Sequence, residues 1–379
     1  MKRIAIFIDG TWNRPDAEHP TNVLRLSRCV KHYDRKMGQQ QFVIYSPGVG
    51  CGRGNNALAR KMDRTFGGAL GWGLLDIIED TYRNLVFAYE PGDEIYLFGF
   101  SRGAYTARSL AGLLRSCGIP PRSKLGEVED AIQRYRSRDK STAPDDPQSF
   151  LFRREFAPFT ATSDLEWKWR HDTAPGMCVK LEIKYLGVWD TVGALGVPFG
   201  NIPGISRRRF GFHNTDLSKL YEHAYQALAI DEHRKAFDPA LWTLCKPTGS
   251  NGPKKGSWRP TQVEQRWFVG AHANIGGGIP SDDLPQLLMD WLVGKANALG
   301  LTFRETVKVR KDKDWKGSIH ESFAEFAFGL YRLIKFGRRP HRTIAKRPIA
   351  VDGGSVGSVN ETIDGSVFDR WRHNAKYRP

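Results

Sequence analysis

The sequence is poor in cysteine and in long apolar runs. Five of its 379 residues are cysteine (Cys29, Cys51, Cys117, Cys178, Cys245), an odd and scattered set with no C-x-x-C pair. That argues against a disulfide framework and against a zinc ribbon, and no metal site is expected. No apolar run is long enough to span a bilayer. The first one, following Met1-Lys2-Arg3, stops at Asp9, too soon for the hydrophobic stretch of a signal peptide. A protein that is cytoplasmic in the cell that makes it is therefore expected. No G-x-x-x-x-G-K-[ST] occurs, which argues against phosphate-loop NTPase chemistry. Internal repeats and low-complexity runs are missing as well.

What is present suits a folded globular chain. Apolar residues make up 40% and aromatics 12%, enough for a sizeable core. The formal net charge is +16. Residues 301–379 hold 17 Lys/Arg against 9 Asp/Glu, half of that excess. Such a surface either attracts anionic lipid, nucleic acid or an acidic protein, or merely keeps the chain in solution. Trp315, Tyr331 and Phe336 lie among basic residues but read better as core than as a base-stacking surface, so nucleic acid is not the expected partner.

Strand and helix signals alternate from the start. Residues 3–8, 41–46, 94–99, 181–189 and 264–269 are apolar runs that end in turn residues and predict strands. Helical spacing predicts helices over 22–31, 74–89, 103–116, 219–230 and 284–298. This order predicts a mostly parallel sheet with helices on both faces. Residues 119–178 are polar and charged, with scattered aromatics, and read as a lid-like insertion. The tail carries one apolar-aromatic segment, 323–336.

Gly99-Phe100-Ser101-Arg102-Gly103 is a G-x-S-x-G match between a predicted strand and a predicted helix. A nucleophile on so tight a turn needs very small residues two before and two after it, and both are glycine. Ser101 is the candidate nucleophile. The Arg102 N–H, at the start of the helix, is placed to stabilise an oxyanion. The Arg102 side chain is expected to pair with a nearby carboxylate rather than with an anionic substrate.

A serine hydroxyl needs a base, and the base an orienting carboxylate. In this kind of fold they follow in the order Ser, Asp or Glu, His, each beyond a strand end. Of the histidines after Ser101, only His272 directly follows a predicted strand. Asp190, which ends the 181–189 strand, is the first choice for the acid. Asp231 is the rival, and it follows a predicted helix. The second oxyanion donor is expected at Gly10 or Thr11, in the loop after the first strand. Asp9 beside them is either a turn residue or part of the site.

With these residues in view, the chain resembles the catalytic domain of type VI secretion phospholipase effectors of the first lipase class. The matching segments are 7–13, 45–50, 99–108, 187–192, 229–234 and 267–278, and they reach from residue 1 to about 300. The resemblance implies an α/β-hydrolase fold, a Ser101-Asp190-His272 triad and phospholipase activity of A type, with no cofactor. It implies a glycerophospholipid or other ester substrate, an immunity or secretion-system protein as partner, and delivery to a target cell; the basic tail and the aromatic-rich insertion point to an anionic membrane surface. Two departures stand out: Cys51-Gly52-Arg53 after Gly50, and Ala273-Asn274-Ile275 where Ser-Asp-Val is usual. The expected organisation is a catalytic domain over 1–300, with the insertion at 119–178, and a basic extension over 301–379 that packs on or trails the core. A soluble carboxylesterase and a hydrolase-fold binding protein are the alternatives.

Overall fold

The computed structural model describes residues 1–51, 69–173, 176, 178–193, 217–247, 261–281, 283–304, 314–320, 340–351 and 354–379. The first half alternates β1 (Arg3–Ile8), α1 (Asn22–Cys29), β2 (Tyr33–Asp34), β3 (Gln39–Ser46), α2 (Ala69–Ala88), β4 (Glu94–Phe100) and α3 (Arg102–Cys117). The insertion supplies α4 (Val128–Arg136), α5 (Pro147–Phe156), β5 (Thr160–Ala161), α6 (Asp164–Thr173) and β6 (Val179–Lys180). Then come β7 (Ile183–Trp189), β8 (Ala224–Ala229), β9 (Thr243–Pro247), β10 (Val263–Phe268), α7 (His272–Gly276) and α8 (Asp283–Ala298). The tail adds β11 (Ile349–Val351), β12 (Gly354–Ser358), β13 (Glu361–Ile363) and α9 (Gly365–His373).

Eight strands form the central sheet in the order β13-β10-β8-β7-β4-β1-β3-β2. All neighbours are parallel except β2, which runs against β3. The central strands β1, β4, β7 and β8 are buried on both faces. In β1, Ile4, Ile6 and Ile8 join the core on one side, and Ala5 and Phe7 the core on the other. An aromatic row crosses the second face: Phe7 stacks on Phe98 at 4.5 Å, Phe98 meets Tyr185 at 5.1 Å, and Tyr185 meets Tyr225 at 5.8 Å. Each such pair adds about 1 kcal/mol to the burial itself. The architecture is that of an α/β hydrolase, with the strand ends after β4, β7, β8 and β10 opening on one edge.

One expectation fails. Residues 219–230 carry Leu220, Tyr221, Ala224, Ala227 and Leu228 at helical spacing, yet Ala224–Ala229 is the strand β8, buried throughout between β7 and β10. A central parallel strand is apolar on both faces, so its periodicity carries no information about which face is buried.

The insertion packs against both α2 and α3. On α2, Arg83 donates to the Leu125 carbonyl and the Phe87 carbonyl accepts from Arg122; further contacts reach the end of α3. Arg115 donates to Thr162 and Asp145, Arg153 donates to the Ser116 carbonyl, and the Cys117 thiol donates to the Ala131 carbonyl. Buried Glu166 accepts from both Arg153 and Arg170 and ties α5 to α6. These contacts buttress the helix that follows Ser101. The tail joins the sheet, since β13 pairs with β10. Trp315 is buried, as its core reading requires. The segment 323–336, with Tyr331 and Phe336, lies outside the described residues.

The elbow glycines are dictated by space. A Cβ at Gly99 would stand 2.6 Å from the Gly103 carbonyl oxygen, and one at Gly103 would stand 2.3 Å from the carbonyl oxygens of Ile8 and Asp9. The first would push the start of α3 off the sheet, and the second would press on the end of β1, whose ladder with β4 holds it in place. Gly103→Ala is therefore expected to lower the melting temperature by roughly 5 °C or more. A melting curve that overlays the parent's would contradict this packing.

Candidate functional site

The carboxyl ends of the parallel strands bring three distant residues together, where open parallel sheets usually hold ligands. Ser101 caps β4 in a left-handed conformation, φ 58° and ψ −120°, and its N–H donates to the Trp189 carbonyl of β7 at 2.9 Å. Side chains with a Cβ rarely adopt that backbone, and the strain lifts the hydroxyl out of the sheet edge. Asp190, directly after β7, also has a positive φ of 40°. His272 opens α7 behind the turn that follows β10.

His272 Nε2 lies 2.8 Å from Ser101 Oγ, and His272 Nδ1 lies 2.6 Å from Asp190 Oδ2. An ionised carboxylate only accepts, so Nδ1 carries the imidazole proton and Nε2 is left to accept from the serine hydroxyl. The ring is held between Phe100 at 4.8 Å and Phe237 at 4.9 Å. Burial among these groups pulls the His272 pKa below its ordinary value, against the opposing pull of Asp190. That shift favours the neutral imidazole, the form that can accept a proton. Burial would raise the Asp190 carboxyl, but the charge of Arg342 and the hydrogen bond from His272 outweigh it and hold the group well below the usual range. This arrangement can take a proton from a serine hydroxyl and return it.

Asp231 lies elsewhere. Its Oδ2 accepts from the Gly270 N–H at 2.7 Å and from the Tyr377 hydroxyl at 3.0 Å. It stitches the turn after β8 to the turn after β10 and to the tail, and the structure gives it no contact with the His272 ring. The neighbouring Glu232 is closer to the site, because its Oε2 accepts from the His272 N–H at 3.1 Å. Burial pushes Glu232 up, yet its hydrogen bonds and charge pairing with Arg234, with help from Arg342, bring it to about 2.

The early loop is also corrected. The Gly10 N–H donates to Asp9 Oδ1 at 2.7 Å, so it is occupied and not aimed at an oxyanion. Asp9 further accepts from Thr21 and Tyr45, which makes it a buried cross-link of this loop; burial raises it to about 6. Thr11 Oγ1 is buried with no hydrogen-bond partner among the described residues. The Arg102 N–H stands at the first helical position, where no intrahelical acceptor exists.

The Arg102 guanidinium does not find the expected carboxylate among the described residues. It lies over the Trp12 ring, 5.7 Å from its centroid, and burial alone lowers its pKa to about 10. Asn274, one of the departures noted above, has a clear task. Its Oδ1 accepts from the N–H groups of Ala271 and His320, and its amide donates to the Ser318 carbonyl at 3.0 Å. An aspartate could not make that last bond. Arg342 and Glu232 escaped the sequence reading. Glu232 adjoins the acid candidate and lies within a matching segment, so it was within reach; a lone arginine in a basic tail gives no comparable signal.

Among the described residues, no group of His, Cys, Asp and Glu could hold a metal ion, and no helix is long and apolar enough to cross a membrane.

Known proteins resemble the chain as follows. An uncharacterised protein of Saccharomyces cerevisiae is 27% identical over 250 residues, covering 64% of this chain and 33% of the relative. A crystal structure of an uncharacterised protein from Pseudomonas aeruginosa overlaps with a TM-score of 0.42 at 16% identity, covering 88% of this chain and 50% of the other. The structure of the Tle1 effector bound to the VgrG spike of the type 6 secretion system overlaps with a TM-score of 0.33 at 19% identity, covering 73% of this chain and 52% of the other. The chain thus spans about a third of the yeast protein and about half of each solved chain. The model of the T6SS phospholipase effector Tle1-like catalytic domain matches residues 2–295, most of the sequence, and the chain belongs to that family.

Proposed function

We propose that the protein is a serine hydrolase that cleaves the acyl esters of glycerophospholipids, a phospholipase of A type. The observation that carries this reading is the hydrogen-bonded line from Ser101 through His272 to Asp190, assembled at the ends of three parallel strands. Ser101 Oγ attacks the ester carbonyl carbon while His272 Nε2 takes its proton. The tetrahedral oxyanion is met by the Arg102 N–H and by Thr11. His272 then gives the proton to the departing lysophospholipid hydroxyl, leaving an acyl-serine. Water, deprotonated by the same imidazole, attacks the acyl-serine and releases the fatty acid, which restores Ser101. Asp190 keeps the proton on Nδ1 and stabilises the imidazolium at each step. The family membership further suggests delivery to a target cell, with a secretion spike and an immunity protein as partners of the whole protein.

Arg102 favours a phospholipid over a small neutral ester. A desolvated cation next to the nucleophile, without a carboxylate partner among the described residues, is suited to the phosphodiester of the substrate. The test is the ratio of kcat/KM for a short-chain, monomeric phosphatidylglycerol to that for monobutyrin. Losing a charge-assisted hydrogen bond predicts that Arg102→Gln lowers this ratio about 10- to 100-fold. A ratio that stays at the parent value would favour the soluble carboxylesterase instead.

A further inference from the structure

We propose that Arg342, from the tail beyond the family-matched residues 2–295, is a positioning residue that clamps Asp190 against His272. The inference rests on the serine-hydrolase reading for its effect on rate, but not for its effect on the histidine. The Arg342 guanidinium meets both oxygens of Asp190, Nη1 to Oδ1 at 2.6 Å and Nη2 to Oδ2 at 3.0 Å. The same nitrogens donate onward, Nη1 to the Ala229 carbonyl at 2.8 Å and Nη2 to the Phe237 carbonyl. Those carbonyls belong to the end of β8 and to the residue whose ring packs on His272. One planar fork therefore fixes the acid, the strand between acid and base, and one wall of the imidazole.

Counting acceptors shows how fully the acid is constrained. Asp190 Oδ1 takes Arg342 and the Ala229 N–H at 3.1 Å, while Oδ2 takes Arg342 and His272. A carboxylate offers about four lone-pair directions, and all four are filled. The carboxylate cannot rotate without breaking two bonds at once. Both side chains are buried, Arg342 at 4% exposure and Asp190 at 0%, so water does not replace a lost partner.

The clamp also sets how strongly Asp190 acts on His272. A carboxylate shared with a guanidinium has less charge to offer the imidazolium. The other charges facing His272 are Arg234, which opposes its protonation, and Glu232, which favours it. Both remain in place when Arg342 is changed. Removing the guanidinium alone leaves Asp190 free to favour the protonated ring, so the His272 pKa should rise. Because the neutral imidazole is the working base, the acid limb of kcat/KM should move to higher pH.

The experiment compares the parent with Arg342→Gln and Arg342→Lys in the full chain. His272 is titrated by NMR of the imidazole nitrogens, and kcat and kcat/KM are measured across pH on phosphatidylglycerol. Arg342→Gln should raise the His272 pKa by about half to one unit and move the acid limb with it. It should also lower kcat about 10- to 100-fold, the usual consequence of a loosened catalytic geometry. Arg342→Lys keeps the charge and loses the fork, so the titration should stay near the parent value while kcat falls about tenfold. An unmoved His272 titration in folded Arg342→Gln, or parent-like kcat in either variant, overturns the clamp. Should Arg342→Gln not fold, the unshifted titration and reduced kcat of Arg342→Lys carry the test. A parent that binds substrate but never turns it over defeats the hydrolase reading; the titrations still decide whether Arg342 acts on His272 through Asp190.

Discussion

Ser101→Ala is expected to lower kcat for ester cleavage by about ten-thousand-fold or more while leaving the fold unchanged. The size of the loss follows from the arrangement. The hydroxyl lies 2.8 Å from His272 Nε2, where its proton can pass to the imidazole as the oxygen takes the acyl group. The backbone N–H groups at the start of α3 do not depend on the side chain, so a small residual rate above that of water should persist. The stability should change little, because among the described residues Ser101 Oγ bonds to the imidazole alone, and alanine fits the same turn. Matched circular dichroism spectra and fatty-acid release from phosphatidylglycerol read both halves. Retention of a tenth of the parent rate would mean that another residue performs the attack.

Asp190→Ala should cost nearly as much in rate and far more in stability. The rate falls about ten-thousand-fold, because His272 loses the partner that fixes its tautomer. The stability falls by about 3–5 kcal/mol, because buried Arg342 loses the carboxylate that both of its terminal nitrogens meet. An ordinary triad acid exposed to water would give only the first effect. Asp231→Ala gives the contrast that separates the two acids considered from sequence. It removes the acceptor of the Gly270 N–H and of the Tyr377 hydroxyl, so it should lower the melting temperature while turnover stays within about tenfold. Chemical denaturation beside steady-state kinetics distinguishes the two patterns. A reversed outcome, with Asp231→Ala inactive and Asp190→Ala active, would reassign the acid.

The parts legible in the sequence are those that local chemistry controls. The elbow at Ser101 is legible because the two glycines are required by backbone contacts closer than 3 Å, a constraint written into the sequence as G-x-S-x-G. β1, β4, β7 and β10 are legible because their apolar runs break at turn residues. His272 is legible because a strand ends just before it. What escaped is set by tertiary placement. β8 carries a helix-like spacing that burial on both faces makes uninformative. The Gly10 N–H is claimed by the carboxylate of the residue before it, a local choice among several that the sequence permits. Arg342 lies 152 positions from Asp190, and only the path of the tail brings it there. The insertion's aromatics divide between core and surface, Phe150 and Phe156 buried and Phe159 and Trp167 exposed, a division that their order in the sequence does not reveal.

The central claim is that His272, oriented by Asp190, makes Ser101 a nucleophile. The most direct measurement is to incubate the folded protein with a fluorophosphonate and locate the adduct by peptide mass mapping. The account predicts a single covalent adduct on Ser101, formed more slowly when phosphatidylglycerol is present and lost in Asp190→Ala. An adduct on a different residue, or none on a folded protein that still releases fatty acid, would contradict it.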